Sequence, residues 1–181
     1  MITKEKVCNK LGQLKENKAP GLDRLSPKLL NEIKMEISEP LCLIFNRSLQ
    51  DSGVPEDWKI ANVTPIFKKG SKLSAGNYRP VSLASQVEEI MESSLKDIII
   101  ELLNKYRLIK DSQHGFTSKR SCLTNLLVVL ETVSDYIDKG YPVDVLYLDF
   151  QKAFDKVHHC RLIAKLKLLG IDGKIVSWIE S

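Results

Sequence analysis

The chain has 181 residues, 43% hydrophobic and 28% charged. That is enough to bury a core as one domain or two small lobes, and it excludes a disordered or fibrous composition. The formal net charge of +4 permits a polyanionic partner without demanding one. No apolar run is long enough to span a bilayer, MITKEKVCNK lacks a signal-peptide core, and Cys8, Cys42, Cys122 and Cys160 show no zinc spacing. The expectation is an intracellular chain, cytoplasmic or nuclear, with reduced thiols and no membrane partner.

Thr3 is placed to cap a first helix, Lys4–Lys15, with Val7, Leu11 and Leu14 on one face. Pro20-Gly21 punctuates a turn over Asn17–Asp23. Ser26 followed by Pro27 starts a second helix, since a capping side chain precedes a proline at the first helical position. Pro40 should interrupt or restart that helix. Leu41–Leu49 continues it towards Gly53, which can close it in a left-handed conformation.

Trp58–Phe67 is the first strand candidate, with Pro65 marking an edge or a bend. The following KKGSKLSAGNYRP clusters Lys68, Lys69, Lys72 and Arg79 around two glycines. It reads either as a solvated hairpin loop or as a finger that brings ammonium and guanidinium groups onto a phosphate chain. Ser85–Leu103 is a long helix with a broad apolar face. Asp111–Arg120 is a loop in which His114 reads as a hydrogen-bonded structural residue, because nothing beside it suggests a nucleophile. Cys122–Asp138 is another amphipathic helix.

Val143–Phe150 then reads as a short buried strand ending in Asp149, with a helix from Ala153 onward. A carboxylate at the mouth of a buried strand can hold a metal ion; equally, it can cap the next turn. Arg161–Leu169 has helical spacing and ends at Gly170. Ile171–Ser181 begins one more helix, and the chain stops in mid-pattern, as a truncated chain would. There is no Walker-type phosphate loop, no nucleophile elbow and no metal-spaced histidine pair. A strand-borne carboxylate with an upstream basic finger suits phosphoryl or nucleotidyl transfer, in which cations bind the triphosphate and the carboxylate holds Mg²⁺.

Six pieces stand in one order: KAPGLD (Lys18–Asp23), VPEDWKIANVTPIFKKG (Val54–Gly70), NYRPVSL (Asn77–Leu83), DSQHGF (Asp111–Phe116), RSCLTNLL (Arg120–Leu127) and YLDFQKAFDKV (Tyr147–Val157). Together they resemble the reverse transcriptase of non-LTR retrotransposons, of the jockey-like and chicken-repeat-like kind. The resemblance implies an α+β right-hand polymerase fold, with helix-rich fingers and an incomplete palm sheet. Residues 1–53 would be an N-terminal helical extension, 54–142 the fingers and 143–181 the start of the palm.

By the same resemblance, Asp149 matches the catalytic aspartate that binds Mg²⁺, assisted by the Phe150 carbonyl. Lys68 and Arg79 match residues that grip the triphosphate. Phe154 matches the aromatic gate against a 2′-hydroxyl, and Gln113, Gly115 and Arg120 match the region along the template. The implied partners are an RNA template, a DNA primer and deoxynucleoside triphosphates. Thr117-Ser118-Lys119 departs from the basic residue usual after Gly-Phe. The family's aromatic-Ala-Asp-Asp hairpin does not occur in these 181 residues. The expectation is a polymerase fragment inactive by itself and marginally folded, its palm strand left with an open apolar edge. The alternative is a remnant that binds nucleic acid through Lys68, Lys69, Arg79, Lys119 and Arg120, or docks a protein through Val145, Tyr147 or Trp178.

Overall fold

The computed structural model describes residues 1–150 and 153–181. Contacts divide the chain into two units, residues 1–101 with 159–181, and residues 102–158. The described residues are rich in helix and contain one two-stranded sheet.

The first unit begins with α1 (Lys4–Gly12), where the Thr3 side chain accepts from the Lys6 N–H. α2 (Pro27–Glu32) starts under Ser26, whose side chain accepts from Leu29 N–H. α3 (Lys34–Asp51) follows after a break at Ile33, which sits at φ −96°, ψ 19°. The expected interruption at Pro40 is corrected: the proline lies inside α3. The helix runs through it without the missing i→i−4 bond, because α3 is anchored on both sides, with Ser38 and Phe45 buried. The closing left-handed residue is Ser52 (φ 50°), one position before the expected Gly53.

β1 (Asn62–Phe67) and β2 (Tyr78–Leu83) form an antiparallel hairpin. Pro65 stands opposite Pro80. Directly opposed pairs alternate between bonded and non-bonded, and the Lys68 N–H to Asn77 O bond of 2.8 Å makes 68/77 a bonded pair. Counting back, 65/80 is non-bonded, so neither proline removes a ladder bond. The sequence reading placed residues 78–80 in a loop; they begin the second strand.

α4 (Gln86–Lys105) lays Ile90, Met91 and Leu95 into the core with Val7, Leu11 and Phe45. α6 (His159–Leu168) ends at Gly170 (φ +73°), as expected, and α7 (Gly173–Glu180) buries Ile175, Val176 and Trp178. Asp172 caps α7 by accepting from Lys174 N–H at 2.8 Å.

The second unit holds α5 (Cys122–Asp138), with the boundaries the sequence indicated. Ser121 and Thr124 close its first turn reciprocally, each side chain accepting from the other's N–H. No α5 side chain is buried.

The buried strand expected over Val143–Phe150 is not formed. These residues carry no regular structure, and Leu146, Tyr147 and Leu148 are exposed. A strand exists only as a pair, since its N–H and C=O groups need a neighbouring chain, and no described segment pairs with this one. The helix expected from Ala153 is a turn, and the helix begins at His159. Gln151 and Lys152, inside the YLDFQKAFDKV motif, lie outside the described residues.

Candidate functional site

Antiparallel register puts Arg79 opposite Ile66, and Lys68 lies two residues beyond Ile66. Side chains alternate along a strand, so Lys68, Ile66 and Arg79 share one face. Lys68 and Arg79 are diagonal neighbours there, typically about 7–8 Å apart at Cα. Both are exposed, and neither makes an ion pair among the described residues.

The opposite face of the hairpin shapes the turn. Phe67 and Tyr78 pack edge to face at 5.5 Å, and the Lys72 ammonium sits 5.8 Å from the Phe67 ring centroid. Tyr78 Oη donates to Lys72 O at 2.9 Å, and Asn77 Nδ2 donates to Ser71 O at 2.9 Å. Gly70 takes φ +88°, and a Cβ there would lie 2.8 Å from Asn77 Nδ2. The basic loop is therefore a built turn presenting two cations on one side.

In the second unit, Gln113, Gly115 and Arg120 come together in one loop. Gln113 Nε2 donates to Gly115 O at 3.4 Å. Arg120 Nη1 donates to Gln113 O at 3.0 Å and also to Asp111 O, while Nη2 lies 3.3 Å from Asp111 Oδ1. His114 Nδ1 lies 3.0 Å from Thr124 Oγ1 and ties the loop to α5, the structural role expected of it. Arg120 is the strut of this loop, with its guanidinium spent inside the chain.

Asp149 is exposed in the same unit, with Phe150 and Phe154 exposed by 86% and 82%. Among the described residues no three His, Cys, Asp or Glu side chains gather as a metal cluster. Mg²⁺ needs near-octahedral oxygen ligation, which Asp149 and a backbone carbonyl do not supply. These residues therefore do not by themselves fit a two-metal centre.

Sequence reasoning missed one packing junction. Gly21 is buried against the chain before α4: a Cβ there would lie 2.5 Å from Ala84 O and 2.8 Å from Ser85 N. Beside it Asp23 Oδ2 accepts from Ser85 Oγ at 2.6 Å, and Ser85 Oγ accepts from Val87 N–H at 3.2 Å. KAPGLD thus clasps the end of the second hairpin strand to the start of α4. Only the turn, through Pro20-Gly21, was visible in the sequence.

A second missed feature was open to a charge count. Residues 105–120 carry five basic side chains and one acid. Their formal charge equals the +4 of the whole chain, so the rest is neutral overall.

Residues 66–181 match the family model for reverse transcriptase (RNA-dependent DNA polymerase). The chain is similar to the RNA-directed DNA polymerase from mobile element jockey of Drosophila melanogaster, with 31% identity over 93% of this chain and 18% of that protein. It is 28% identical to a probable RNA-directed DNA polymerase from transposon BS of the same fly, over 93% of this chain and 19% of that protein. A Pol polyprotein from the type-1 retrotransposable element R2 of Popillia japonica is 26% identical over 89% of this chain and 21% of its own length. The chain therefore spans about a fifth of these relatives.

Proposed function

From the premise that this chain belongs to the reverse transcriptase family of non-LTR retrotransposons, we propose that it is the nucleotide-gripping and template-leading part of an RNA-directed DNA polymerase. Residues 1–53 act as a helical extension, 54–142 as fingers and 143–181 as the start of a palm in a right-hand fold. Lys68 and Arg79 hold the triphosphate of an incoming deoxynucleotide. Gln113, Gly115 and Arg120 order the loop along the template. Asp149, with the Phe150 carbonyl, supplies part of a Mg²⁺ site, and Phe154 screens the sugar.

The observation that carries this reading is the hairpin. It presents Lys68 and Arg79 as diagonal neighbours, exposed and without acidic partners among the described residues, on a turn held by Gly70, Asn77 and Tyr78. Cations so placed bind phosphate oxygens without first breaking an internal ion pair. Among the described residues no acidic cluster gathers around Asp149, which favours a division of labour. Residues 1–181 bind, and the chemistry needs further carboxylates gathered beside Asp149.

The test titrates the purified chain with a labelled RNA template–DNA primer duplex, with and without Mg²⁺ and a matching deoxynucleoside triphosphate, at two salt concentrations. Salt-sensitive duplex binding is expected, with no primer extension. Triphosphate binding should weaken about tenfold for Lys68→Ala and for Arg79→Ala, the loss of one charge-assisted contact each. Triphosphate affinity untouched by both substitutions would sink the assignment of the hairpin. Primer extension by these residues alone would refute the division of labour.

A further inference from the structure

A cavity of about 450 Å³ lies wholly within the first unit, walled by Trp58, Leu95, Ile99, Ile100 and Trp178 among others, with Glu88 in its lining. We propose that it binds a small organic cation, an ammonium group carried on an apolar body, with the Glu88 carboxylate as its anchor. The proposal does not rest on the nucleic-acid reading above.

Helical spacing builds the site. Glu88, Glu92, Leu95 and Ile99 follow one another along a single stripe of α4. Two acids therefore stand on the stripe that is otherwise apolar, and like charges four residues apart repel. Glu88 Oε2 is buried with no hydrogen-bond partner among the described residues. Buried acceptors are nearly always satisfied, so an orphan in a cavity wall marks a place for a donor. Desolvation, together with the Glu92 carboxylate, raises the Glu88 pKa to about 7, as befits a carboxylate without a counter-ion. Burial and Glu89 raise Glu92 in the same direction.

The chain's own cations do not supply the missing donor. Lys59 and Lys96 also line the cavity, but Lys59 pairs with Glu56 at 3.2 Å, and Lys96 is exposed and makes no ion pair among the described residues. Glu89, whose charge also acts on Glu88, is engaged by Lys18. A metal ion is a poor occupant, because hard cations need several oxygen ligands and these walls are largely apolar. An organic ammonium meets both demands: its N–H groups reach Oε2, and its apolar body displaces water from the walls. Those walls are held before a ligand arrives. Trp58 packs edge to face on Phe45 at 5.8 Å, and Trp178 is fixed by a 2.8 Å hydrogen bond to Ser48. Indole rings beside a carboxylate favour a cation further, through the negative potential of the ring face.

Trp58 and Trp178 are the chain's two tryptophans and both line the cavity, so intrinsic fluorescence reports on it directly. The full chain is titrated at pH 8 with phenylbutylammonium, phenylbutanol and phenylbutyrate, which share one apolar body, and the ammonium is repeated at pH 5, where it keeps its charge. Emission should change saturably, and the ammonium should bind tightest. Its affinity should fall about tenfold or more at pH 5, where Glu88 is protonated. Glu88→Gln should weaken the ammonium about tenfold at pH 8 and remove its pH dependence. The same variant should leave the alcohol unchanged, which also shows that it is folded. Ile99→Phe, which fills the cavity, should weaken ammonium and alcohol alike. Tightest binding of phenylbutyrate would assign the charge preference to Lys59 and Lys96 and overturn the proposal. Equal binding of ammonium and alcohol, ammonium affinity untouched by Glu88→Gln or by Ile99→Phe, or no saturable change with any probe would overturn it as well. None of these outcomes touches the hairpin.

Discussion

Trp178 Nε1 donates a 2.8 Å hydrogen bond to Ser48 Oγ, joining buried residues 130 positions apart. Ser48 Oγ in turn donates to Gly53 O at 2.6 Å, just beyond the end of α3. One hydroxyl therefore docks α7 and ties down the chain leaving α3. Ser48→Ala leaves a buried indole N–H and a carbonyl without this partner. It should destabilise the chain by about 1–3 kcal/mol, read as a lower urea midpoint with an unchanged m-value. Trp178→Phe removes the donor as well as the ring's extra volume, and its loss combined with Ser48→Ala should be less than additive. Strict additivity would show that the two side chains do not act as a pair.

Gly21 makes a sharper case, since nothing in its backbone conformation demands glycine; the neighbouring chain does. With a Cβ 2.5 Å from the Ala84 carbonyl, Gly21→Ala must push the KAPGLD turn off the start of α4. Overpacking against backbone costs about 1–3 kcal/mol. The Asp23–Ser85 hydrogen bond should be strained in the same event. Urea unfolding checks the magnitude. An unchanged midpoint would mean that the turn swings aside freely and that the junction contributes nothing.

What the sequence revealed and what it hid divide along the range of the interactions. Thr3 and Ser26-Pro27 announce helix starts because their capping bonds reach only three residues, and α5 was legible to its ends. The break at Ile33 has no glycine, proline or cap to announce it, and Pro40 drew the expected interruption to itself. Val143–Phe150 has a strand's composition, but a strand's existence is settled by its partner. β2 was hidden for the opposite reason: Arg79 and Pro80 look like loop residues until Pro65 and Pro80 are seen facing each other in a non-bonded pair. At the candidate site, the cations of the hairpin were legible as charge. Their common face was not, because it depends on register. The strut role of Arg120 depends on where a loop folds back, which no local pattern encodes.

Ser52 offers a test in the stabilising direction. It closes α3 at φ 50°, where a side chain pays a steric penalty that glycine does not. Its N–H donates to Leu49 O at 3.3 Å, a backbone bond that glycine keeps. Ser52→Gly should raise stability by about 0.5–1 kcal/mol, net of the extra freedom glycine gives the unfolded chain. A thermal melt reads this as a midpoint higher by a few degrees. A fall would mean that the serine side chain contributes more than its backbone conformation costs.

Glu88 on α4 lines an apolar cavity of about 450 Å³ with Trp58, Leu95, Ile99 and Trp178. Its Oε2 is buried without a hydrogen-bond partner among the described residues. Desolvation raises its pKa to about 7, and the nearby Glu92 carboxylate adds to the shift. Lys59 and Lys96 also line the cavity, but Lys59 is paired with Glu56 at 3.2 Å. The folded-state pKa lies above the ordinary carboxylate value of 4.5, so the folded chain binds the proton more tightly than the unfolded one. That contribution to stability is fully present below pH 4.5 and is lost as pH rises through about 7. Glu88→Gln keeps the shape and removes the charge. It should be more stable than the parent at pH 8 by about 1 kcal/mol, a value reduced for the solvent-facing side of the carboxyl group. The difference should shrink towards zero at pH 4. Urea unfolding of both proteins at the two pH values decides the matter: an equal gap at pH 4 and pH 8 would show that the effect of the substitution does not come from the charge.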